Sequence, residues 1–405
     1  MIPGWTTKSL GDVCRFEGGS QPPKSTFSAT FKEGYIRLIQ IRDYKSDKHI
    51  VFIPKEKAKR FCSSSDVMIG RYGPPVFQIL RGLEGAYNVA LMKATPNEEF
   101  ITKDFLFKFL SSPPIQKYVI DLSSRAAGQS GLNKATLEPY PISFPSLPEQ
   151  KRIVAILDEA FAGIDAAVAN TEKNLANARE LFESYLNAVF TQKGDGWVDC
   201  PLADCLQLIT YGFTNPMPTT DAGPYMITAK NVIGGQINYA SARHTSQDAF
   251  TNLLTDKSRP LIGDVLLTKD GTLGRLAVVD RTGLCINQSI ALLRPNERMD
   301  AHFMRYLLSS PYYQQKMRED AGGTTIKHIY ITRVDKMTVS FPTSLQNQKS
   351  ILETLNSMAK ETQRLEAIYQ QKLDALAELK QSILQKAFAG ELTTLPENEI
   401  EEAIA

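Results

Sequence analysis

The fold of this chain is decided by residues 148–193, which read PEQKRIVAILDEAFAGIDAAVANTEKNLANARELFESYLNAVFTQK. Proline suits the first turn of a helix, and the glutamate after it suits the positive end of the helix dipole. Mostly apolar side chains then recur in alternating steps of four and three residues, which predicts a coiled-coil helix. This seam consists of Leu157, Phe161, Ile164, Val168, Thr171, Leu175, Ala178, Phe182, Tyr185 and Val189.

A second stretch, residues 346–393, has the same design. Its stripe consists of Leu352, Leu355, Met358, Thr362, Leu365, Tyr369, Leu373, Leu376, Leu379 and Ile383. Two consecutive steps of four residues, through Tyr369 and Leu373, interrupt the strict heptads. Each helix of about 40 residues would be roughly 60 Å long and cannot bury its seam alone. We therefore expect the two helices to form an antiparallel coiled coil that serves as a spacer, related by a pseudo-two-fold axis.

The segments in front of the two helices also resemble each other. The matches keep their order and are shifted by 192 to 198 residues: Trp5, Leu10 and Asp12 with Trp197, Leu202 and Asp204; Asp66-Val67 with Asp264-Val265; Gly73 with Gly271; Leu110-Ser111-Ser112-Pro113 with Leu308-Ser309-Ser310-Pro311; Phe144-Pro145 with Phe341-Pro342; and Gln150-Lys151 with Gln348-Lys349. The chain is therefore a tandem duplication of a unit of about 195 residues.

The first part of each unit mixes short strands with helices. Val265–Thr268 and Leu276–Val279 are predicted strands around an Asp-Gly turn, which favours a hairpin. Helices are expected near Lys103–Leu110 and Ala301–Leu308, each ended by Ser-Ser-Pro. We expect the α+β class, with mixed domains at 1–147 and 194–345, helical spacers at 148–193 and 346–393, and an acidic tail at 394–405.

Composition limits the class of protein. The chain has 405 residues, of which 42% are hydrophobic and 22% charged, so it is long enough for real cores. A basic leader segment and a bilayer-length apolar run are missing from the sequence, so we expect a cytoplasmic protein without membrane contact. The five cysteines include no C-x-x-C pair and the four histidines are scattered, so we expect no disulfide and no metal.

Charge and motifs favour a binding protein over an enzyme. Residues 1–145 carry a net charge of +7, which suits a polyanion, whereas residues 194–344 carry only +1. An adenine-methyltransferase motif, a phosphate-binding glycine loop and a nucleophile elbow are all missing, and Asn215-Pro216-Met217-Pro218 matches the first only superficially. We therefore expect no catalytic residue and no cofactor bound by this chain.

The duplicated motifs resemble the specificity (S) subunit of Type I restriction-modification systems. The resemblance rests on Trp5-x-x-x-x-Leu10-x-Asp12, the Gly-Asp-Val strand, Leu-Ser-Ser-Pro, Phe-Pro and Leu147-Pro148-Glu149-Gln150-Lys151-Arg152-Ile153, and it covers essentially the whole chain. It implies two target-recognition domains, each reading one half of a split site in double-stranded DNA. It also implies helices that set the spacing and dock two methyltransferase (M) subunits, which carry S-adenosylmethionine, and separate motor-nuclease (R) subunits in the complex.

The second unit departs from this pattern. Leu345-Gln346-Asn347-Gln348 stands where the first unit has Leu147-Pro148-Glu149-Gln150, so the start of the second helix is less well marked. The second domain is also less basic, and we expect its DNA affinity to depend more on partner subunits.

Polar residues on the predicted turns are the candidate DNA contacts. Arginine and lysine read guanine, asparagine and glutamine read adenine, and glycine lets a backbone approach a phosphate. Two places are favoured in each domain: the turn after the Asp-Val strand, and the glycine-rich stretch after the Ser-Ser-Pro helix. The candidates are Arg71, Tyr72, Gln78, Arg81, Arg125, Gln129, Ser130, Asn133 and Lys134 in the first domain, and Lys230, Lys269, Asp270, Arg275, Thr324, Thr325, Lys327 and His328 in the second. The run Lys55–Arg60 is interpreted as a solvated helix face.

Three other interpretations stay open at this point. The chain could be a coiled-coil scaffold with two protein-binding modules, the specificity subunit of a related Type II restriction-methylation enzyme, or an enzyme with an unrecognised site. A scaffold would recover no methyltransferase in a pull-down, and an enzyme would cleave or methylate DNA by itself.

Overall fold

The structure is a computed structural model that describes residues 2–73, 75–125, 132–319 and 328–392, with the backbone alone at 123–125. It divides into two compact units, each taking part of both long helices. The first unit is Met1–Thr171 with Gln371–Ala405, and the second is Glu172–Gln370.

The first unit contains two four-stranded sheets. Its strands are β1 (Thr6–Ser9), β2 (Cys14–Gly18), β3 (Tyr35–Ile39), β4 (Phe52–Pro54), β5 (Phe61–Cys62), β6 (Val67–Gly70), β7 (Gln78–Leu80), β8 (Gly85–Tyr87), β9 (Leu91–Pro96) and β10 (Pro141–Phe144). Its helices are α1 (Leu10–Val13), α2 (Lys103–Leu110), α3 (Pro113–Arg125), α4 (Lys134–Leu137) and the start of α5 (Leu147–Thr191). One sheet has the antiparallel order β2-β9-β6-β7, the other has the order β4-β3-β8-β5 with β3 parallel to β8, and β1 pairs with β10.

The second unit repeats this topology with three strands instead of four in its second sheet. Its strands are β11 (Trp197–Pro201), β12 (Leu206–Tyr211), β13 (Thr220–Ile227), β14 (Val232–Ile233), β15 (Gln236–Ile237), β16 (Arg243–His244), β17 (Val265–Thr268), β18 (Leu276–Val278), β19 (Leu284–Ile286), β20 (Ile290–Pro295) and β21 (Thr338–Pro342). Its helices are α6 (Gln247–Asn252), α7 (Ala301–Ser309), α8 (Pro311–Glu319), α9 (Ile331–Val334) and the start of α10 (Leu345–Phe388). The sheet β12-β20-β17-β18 corresponds to β2-β9-β6-β7, and β16-β13-β19 corresponds to the second sheet. The α+β class and the duplication are confirmed, and the predicted hairpin is β17–β18.

The two long helices run antiparallel within each unit. In the first, Lys380 Nζ lies 2.7 Å from Asp165 Oδ1, while Leu157, nearer the start of α5, shares a core with Ala387, nearer the end of α10. In the second, Arg179 Nε lies 2.9 Å from Glu366 Oε1, and Phe190 shares a core with Leu352. The residue numbers fall along one helix as they rise along the other, which is the antiparallel coiled coil that the seams predicted.

The seam prediction is wrong at one position. Leu379 is 44% exposed, whereas its neighbour Lys380 is half-buried and places its ammonium 4.9 Å from the ring of Phe161. The alkyl stem of lysine can cover apolar surface while its charge reaches Asp165. Thr171 does occupy its predicted buried position, because its hydroxyl donates to Ala167 O at 2.7 Å.

A buried glutamine joins each mixed domain to its helix. Gln150 is fully buried; its Nε2 donates to Phe100 O and Pro145 O at 2.7 and 3.0 Å, and its Oε1 accepts from Thr102 N at 2.9 Å. Gln348 is also fully buried, and it bonds Arg298 O, Pro342 O and Asp300 N at 2.8, 3.0 and 2.8 Å. The second helix therefore begins at Leu345 with the same joint as the first, although the residues around its glutamine differ.

A second pair of equivalent contacts ties each domain to its helix with different chemistry. Lys108 on α2 lies 2.5 Å from Asp158 on α5. At the equivalent positions of the second unit, Tyr306 on α7 donates to Asn356 on α10 at 2.9 Å. This second contact is thus ionic in the first unit and neutral in the second.

Candidate nucleic-acid interface

Three chain segments meet at one end of the sheet β2-β9-β6-β7 in the first unit, and three meet at the same end of the sheet β12-β20-β17-β18 in the second. In the first, Arg71 N donates to Ala90 O at 2.9 Å and Leu132 N donates to Arg71 O at 3.1 Å. In the second, Lys269 N donates to Ser289 O at 2.9 Å and Ile329 N donates to Lys269 O at 3.0 Å. We call residues 71–73, 88–90 and 132–134 the first loop cluster, and residues 269–272, 287–289 and 328–330 the second loop cluster. The two places favoured from sequence are thus adjacent in each unit.

Two glycines allow a fourth segment to reach each cluster. A β-carbon at Gly19 would overlap the carbonyl oxygen of Asn88, and one at Gly212 would overlap that of Ile286. Only glycine permits this approach of two backbones. Sequence reasoning missed these two glycines. Each directly follows a strand, β2 or β12, and the local pattern there would fit a bulkier residue equally well.

In the first loop cluster, Arg71 serves mainly as a structural support. Its Nε donates to Leu132 O at 2.7 Å, one terminal nitrogen donates to Val89 O at 3.2 Å, and its guanidinium lies 5.5 Å from the ring of Tyr72. Tyr72 itself is 41% exposed. The exposed aromatic ring is therefore the better placed of the two for contact with a ligand.

The other candidates of the first domain have different placements. Asn133 and Lys134 are exposed in the cluster, where Asn133 caps α4 by accepting from Thr136 N at 3.1 Å. Gln78 faces the same loop and donates to Pro75 O at 3.0 Å. Arg81 lies at the opposite end of β7, 2.8 Å from Asp104, because β7 carries the chain away from the loop. The structure therefore does not bring Arg81 together with the cluster.

The second loop cluster brings three candidates together, because Lys269 and His328 both contact the carboxylate of Asp270. Asp270 lies 2.8 Å from Lys269 Nζ and 2.6 Å from His328 Nδ1. Burial opposes ionisation of Asp270, but the hydrogen bonds and charges of Lys269 and His328 outweigh it and lower the pKa of the carboxyl. Asp270 therefore stays ionised and offsets the charge of Lys269, whose ammonium lies 5.5 Å from the ring of Tyr211.

A cavity of about 1020 Å³ opens beside the second loop cluster. Its polar lining includes Lys230, Asn231, Arg243, Asp270, Thr272, Asn287 and Ser289, and its apolar lining includes Phe213, Met217 and Met226. Arg275 is exposed nearby, with a terminal nitrogen 3.4 Å from Val232 O. Sequence reasoning found Lys230 and Asp270 but missed Arg243, Asn287 and Ser289, because the sheet joins segments that are distant in sequence.

The remaining candidates fall where side chains are not described. Gln129, Ser130, Thr324, Thr325 and Lys327 lie outside the described residues, as does the tail 394–405. Arg125 ends α3, and its backbone alone is described. Like the other eleven candidates, these six stay predicted DNA contacts.

Exposed cations lie on residues 55–60, which connect β4 and β5 at the second sheet of the first unit. Lys55–Lys57 form one 3-10 turn and the chain then extends to Arg60, so the predicted helix face is wrong while its exposure is confirmed. Arg60 lies 3.2 Å from Glu17, whereas Lys55, Lys57 and Lys59 have no ion partner among the described residues. The three lysines therefore leave positive charge on this surface.

The described side chains show no group of histidine, cysteine and acidic residues that could hold a metal. All five cysteines are free, and the Sγ atoms of Cys200 and Cys205 lie 3.5 Å apart. Across the same described ranges, no helix is long and apolar enough to cross a membrane.

Comparison with known proteins agrees with this architecture. The chain is 22% identical over 417 residues to the Type I restriction enzyme EcoBI specificity subunit of Escherichia coli, covering 96% of this chain and 86% of the relative. It is 19% identical to the MjaVIII specificity subunit of Methanocaldococcus jannaschii, covering 87% of this chain and 86% of that one.

Solved structures share the fold. A chain from a structure of the type I R-M system superposes with a TM-score of 0.78 at 20% identity, and the HsdS subunit from Thermoanaerobacter tengcongensis with 0.58 at 20% identity. Both matches cover 96% of this chain and 98% of the other. The family described as the Type I restriction modification DNA specificity domain matches residues 3–175 and 218–375. Two copies of that domain together match most of its length, so the chain belongs to the Type I restriction-modification specificity family.

Proposed function

We propose that this chain reads a bipartite, asymmetric DNA site, each recognition domain contacting one half, and that it performs no catalysis itself. The observation that carries the proposal is the loop cluster, which is built twice on the same backbone hydrogen bonds but with different side chains. A constant frame with variable side chains suits a module that reads different sequences.

The two clusters differ in ways that predict unequal half-sites. The first presents Tyr72, Asn133 and Lys134 to solvent, and the second adjoins a cavity lined by Lys230 and by the carboxylate of Asp270. A carboxylate accepts hydrogen bonds from cytosine and repels phosphates, so it favours selectivity over affinity. The second domain therefore depends more on partners for its affinity.

The helices support the rest of the proposal. Their antiparallel pairing gives a stiff element suited to fixing the spacing between half-sites, and their exposed faces suit the docking of two methyltransferase subunits. S-adenosylmethionine would be bound by those subunits, and motor-nuclease subunits would join through the complex. We place the assembly in the cytoplasm, where the DNA is.

The test is selection from random DNA duplexes by the chain reconstituted with its methyltransferase subunits. We expect two short motifs separated by a gap of constant length. A reconstituted complex that enriches no sequence would overturn the proposal.

Exchange of residues 1–145 for the domain of another family member tests the division between the domains. We expect one half of the selected site to change and the other to stay. Lys230→Gln should weaken or relax the second half alone, and Lys257→Gln, an exposed lysine outside the cluster and the cavity, is the matched control. Changes in both halves after the exchange would contradict the one-domain, one-half assignment.

A further inference from the structure

A second cleft of the second unit lies apart from its loop cluster. It has a volume of about 650 Å³ and lies between the β14–β15 turn, α7 and the side of α10. Asp280 and Arg281 line it and follow the end of β18, whereas the loop cluster adjoins the start of that strand. The cleft is therefore a separate site.

The lining of this cleft is rich in cations. Arg281, Arg305 and Lys360 all line it, together with His302. The guanidinium carbon of Arg305 lies 3.9 Å from the ring centre of Tyr306, and that of Arg281 lies 3.9 Å from the ring centre of Tyr239. A guanidinium stacked on a ring is held in place while its N–H edge stays available to an oxyanion.

The positive charge of the cleft is only partly offset. Asp280 is the carboxylate of its lining; its Oδ1 accepts from Tyr239 at 2.5 Å and lies 3.5 Å from Arg281. Among the described residues, neither Arg305 nor Lys360 has a carboxylate within ion-pair distance. Three full charges against one leave the cleft with an excess of two, which matches a dianion.

The backbone makes room for this arrangement. A β-carbon at Gly235 would lie 2.8 Å from a terminal nitrogen of Arg305, so glycine lets the guanidinium reach the turn. Gly235 also has a φ of +79°, which a residue with a side chain adopts only with strain. The turn and the arginine are thus fitted to each other.

The first unit does not repeat this excess charge. The positions equivalent to Arg305 and Tyr306 hold Phe107 and Lys108, and Lys108 is paired with Asp158. Uncompensated cations in the second unit therefore have no counterpart in the duplicated architecture, and packing of the domain onto the helix does not require them.

We propose that this cleft binds a phosphate group, held by the guanidinium edges of Arg281 and Arg305 and by the ammonium of Lys360. The phosphate belongs either to a free phosphorylated ligand or to the backbone of bound DNA. The binding chemistry does not depend on sequence reading by the loop clusters.

The test uses the full chain, pyrophosphate and isothermal titration calorimetry at low ionic strength, without DNA. We expect saturable binding that Arg305→Gln and Lys360→Gln each weaken about tenfold, since each removes a charge-assisted contact. Lys360 is exposed on α10, so its substitution leaves folding intact even if Arg305→Gln does not. Lys336→Gln, an exposed lysine outside the cleft, is the control and should bind as the unchanged chain does. Pyrophosphate binding that is absent, or unchanged in both cleft variants, would overturn the proposal.

A second arm identifies the source of the phosphate. DNA binding of the reconstituted complex is measured against salt concentration for the unchanged chain and for Lys360→Gln. If the cleft holds a DNA phosphate, the variant loses affinity on every sequence and its salt slope falls by about one unit. If it holds a free ligand, the DNA curves coincide while pyrophosphate binding is still weakened. If the proposed sequence reading were wrong, the reconstituted complex would select no preferred DNA sequence. Neither the pyrophosphate titration nor the salt dependence measures that preference.

Discussion

At the scale of single residues, Gln150 and Gln348 show how a neutral side chain can organise a joint. Each is fully buried and satisfies two carbonyl oxygens and one amide N–H of the adjoining backbone. Buried backbone groups need such partners, because leaving one without a hydrogen bond costs about 1–3 kcal/mol. The glutamine therefore stabilises the start of each long helix and the loop before α2 or α7 together.

We predict that Gln348→Ala lowers the free energy of unfolding by about 3 kcal/mol, since it leaves Asp300 N and two carbonyl oxygens without their partner. Urea denaturation measures the change. Gln346→Ala, two residues earlier and exposed, is the control and should change stability by less than about 0.5 kcal/mol. Equal effects of the two substitutions would refute the role given to the joint.

Asp66 couples the stability of the first unit to pH. Burial opposes its ionisation, but the amide of Ser63 at 3.0 Å and the ammonium groups of Lys103 and Lys93 outweigh burial and lower the pKa of its carboxyl below 3.8. A carboxyl whose pKa is lowered by folding contributes stability above its unfolded pKa and loses it as pH falls through the folded pKa.

We therefore expect the melting temperature to fall as the pH is lowered from about 5 towards 3, and Asp66→Asn to reduce that slope. Near neutral pH, the same substitution should lower the melting temperature. Glu98→Gln, at an exposed position, is the control and should leave the slope unchanged. An identical pH profile for Asp66→Asn and the unchanged chain would contradict the coupling.

At the scale of elements, the first loop cluster depends on close backbone contact between Gly19, directly after β2, and the β8–β9 turn. Gly18 and Gly19 are adjacent, but they meet different surroundings. A β-carbon at Gly18 would touch only Arg71 at 3.8 Å, whereas one at Gly19 would overlap Asn88.

Gly19→Ala should therefore displace the turn, destabilise the first unit by about 1–3 kcal/mol and weaken reading of one half-site. Gly18→Ala should have little effect on either, because its new methyl group has ordinary contact distances. Thermal denaturation and sequence selection measure the two effects. Similar behaviour of both variants would show that the cluster does not need the close approach.

The elements also show what the sequence could predict. Short-range signals identified the ends of α2 and α7 and the β17–β18 hairpin, because prolines and Asp-Gly turns act locally. The heptad pattern located the seams but misplaced Leu379, since it does not show that the stem of Lys380 can bury at the neighbouring position. The cavity beside the second loop cluster was missed, because Arg243, Asn287 and Ser289 are brought together only by the order of the strands.

At the scale of the whole molecule, the two long helices are shared by the two compact units. α5 and α10 both pass from one compact unit into the other, so a change in one helix needs a matching change in the other. Their cross-helix ion pairs, Asp165–Lys380 and Arg179–Glu366, identify where matched insertions belong.

Insertion of one heptad within residues 170–177 of α5, with a matched heptad between Glu366 and Lys380, should keep both ion pairs. Each added heptad lengthens a helix by about 10 Å, or roughly three base pairs of DNA. We expect the gap in the selected DNA site to change while both half-sites stay the same. Insertion in α5 alone, which shifts the seams out of register, should destabilise the chain. A change in the bases read would contradict the spacer role.

The glutamine joint has a consequence for inheritance. Because Gln150 and Gln348 hold main-chain atoms, the loops they fasten can drift in sequence without loosening the joint. A domain acquired by recombination would bring its own main-chain groups, and the glutamine on the helix could bond them in the same way. Under the proposed function, one such exchange should change the DNA target without compensating mutations at the joint.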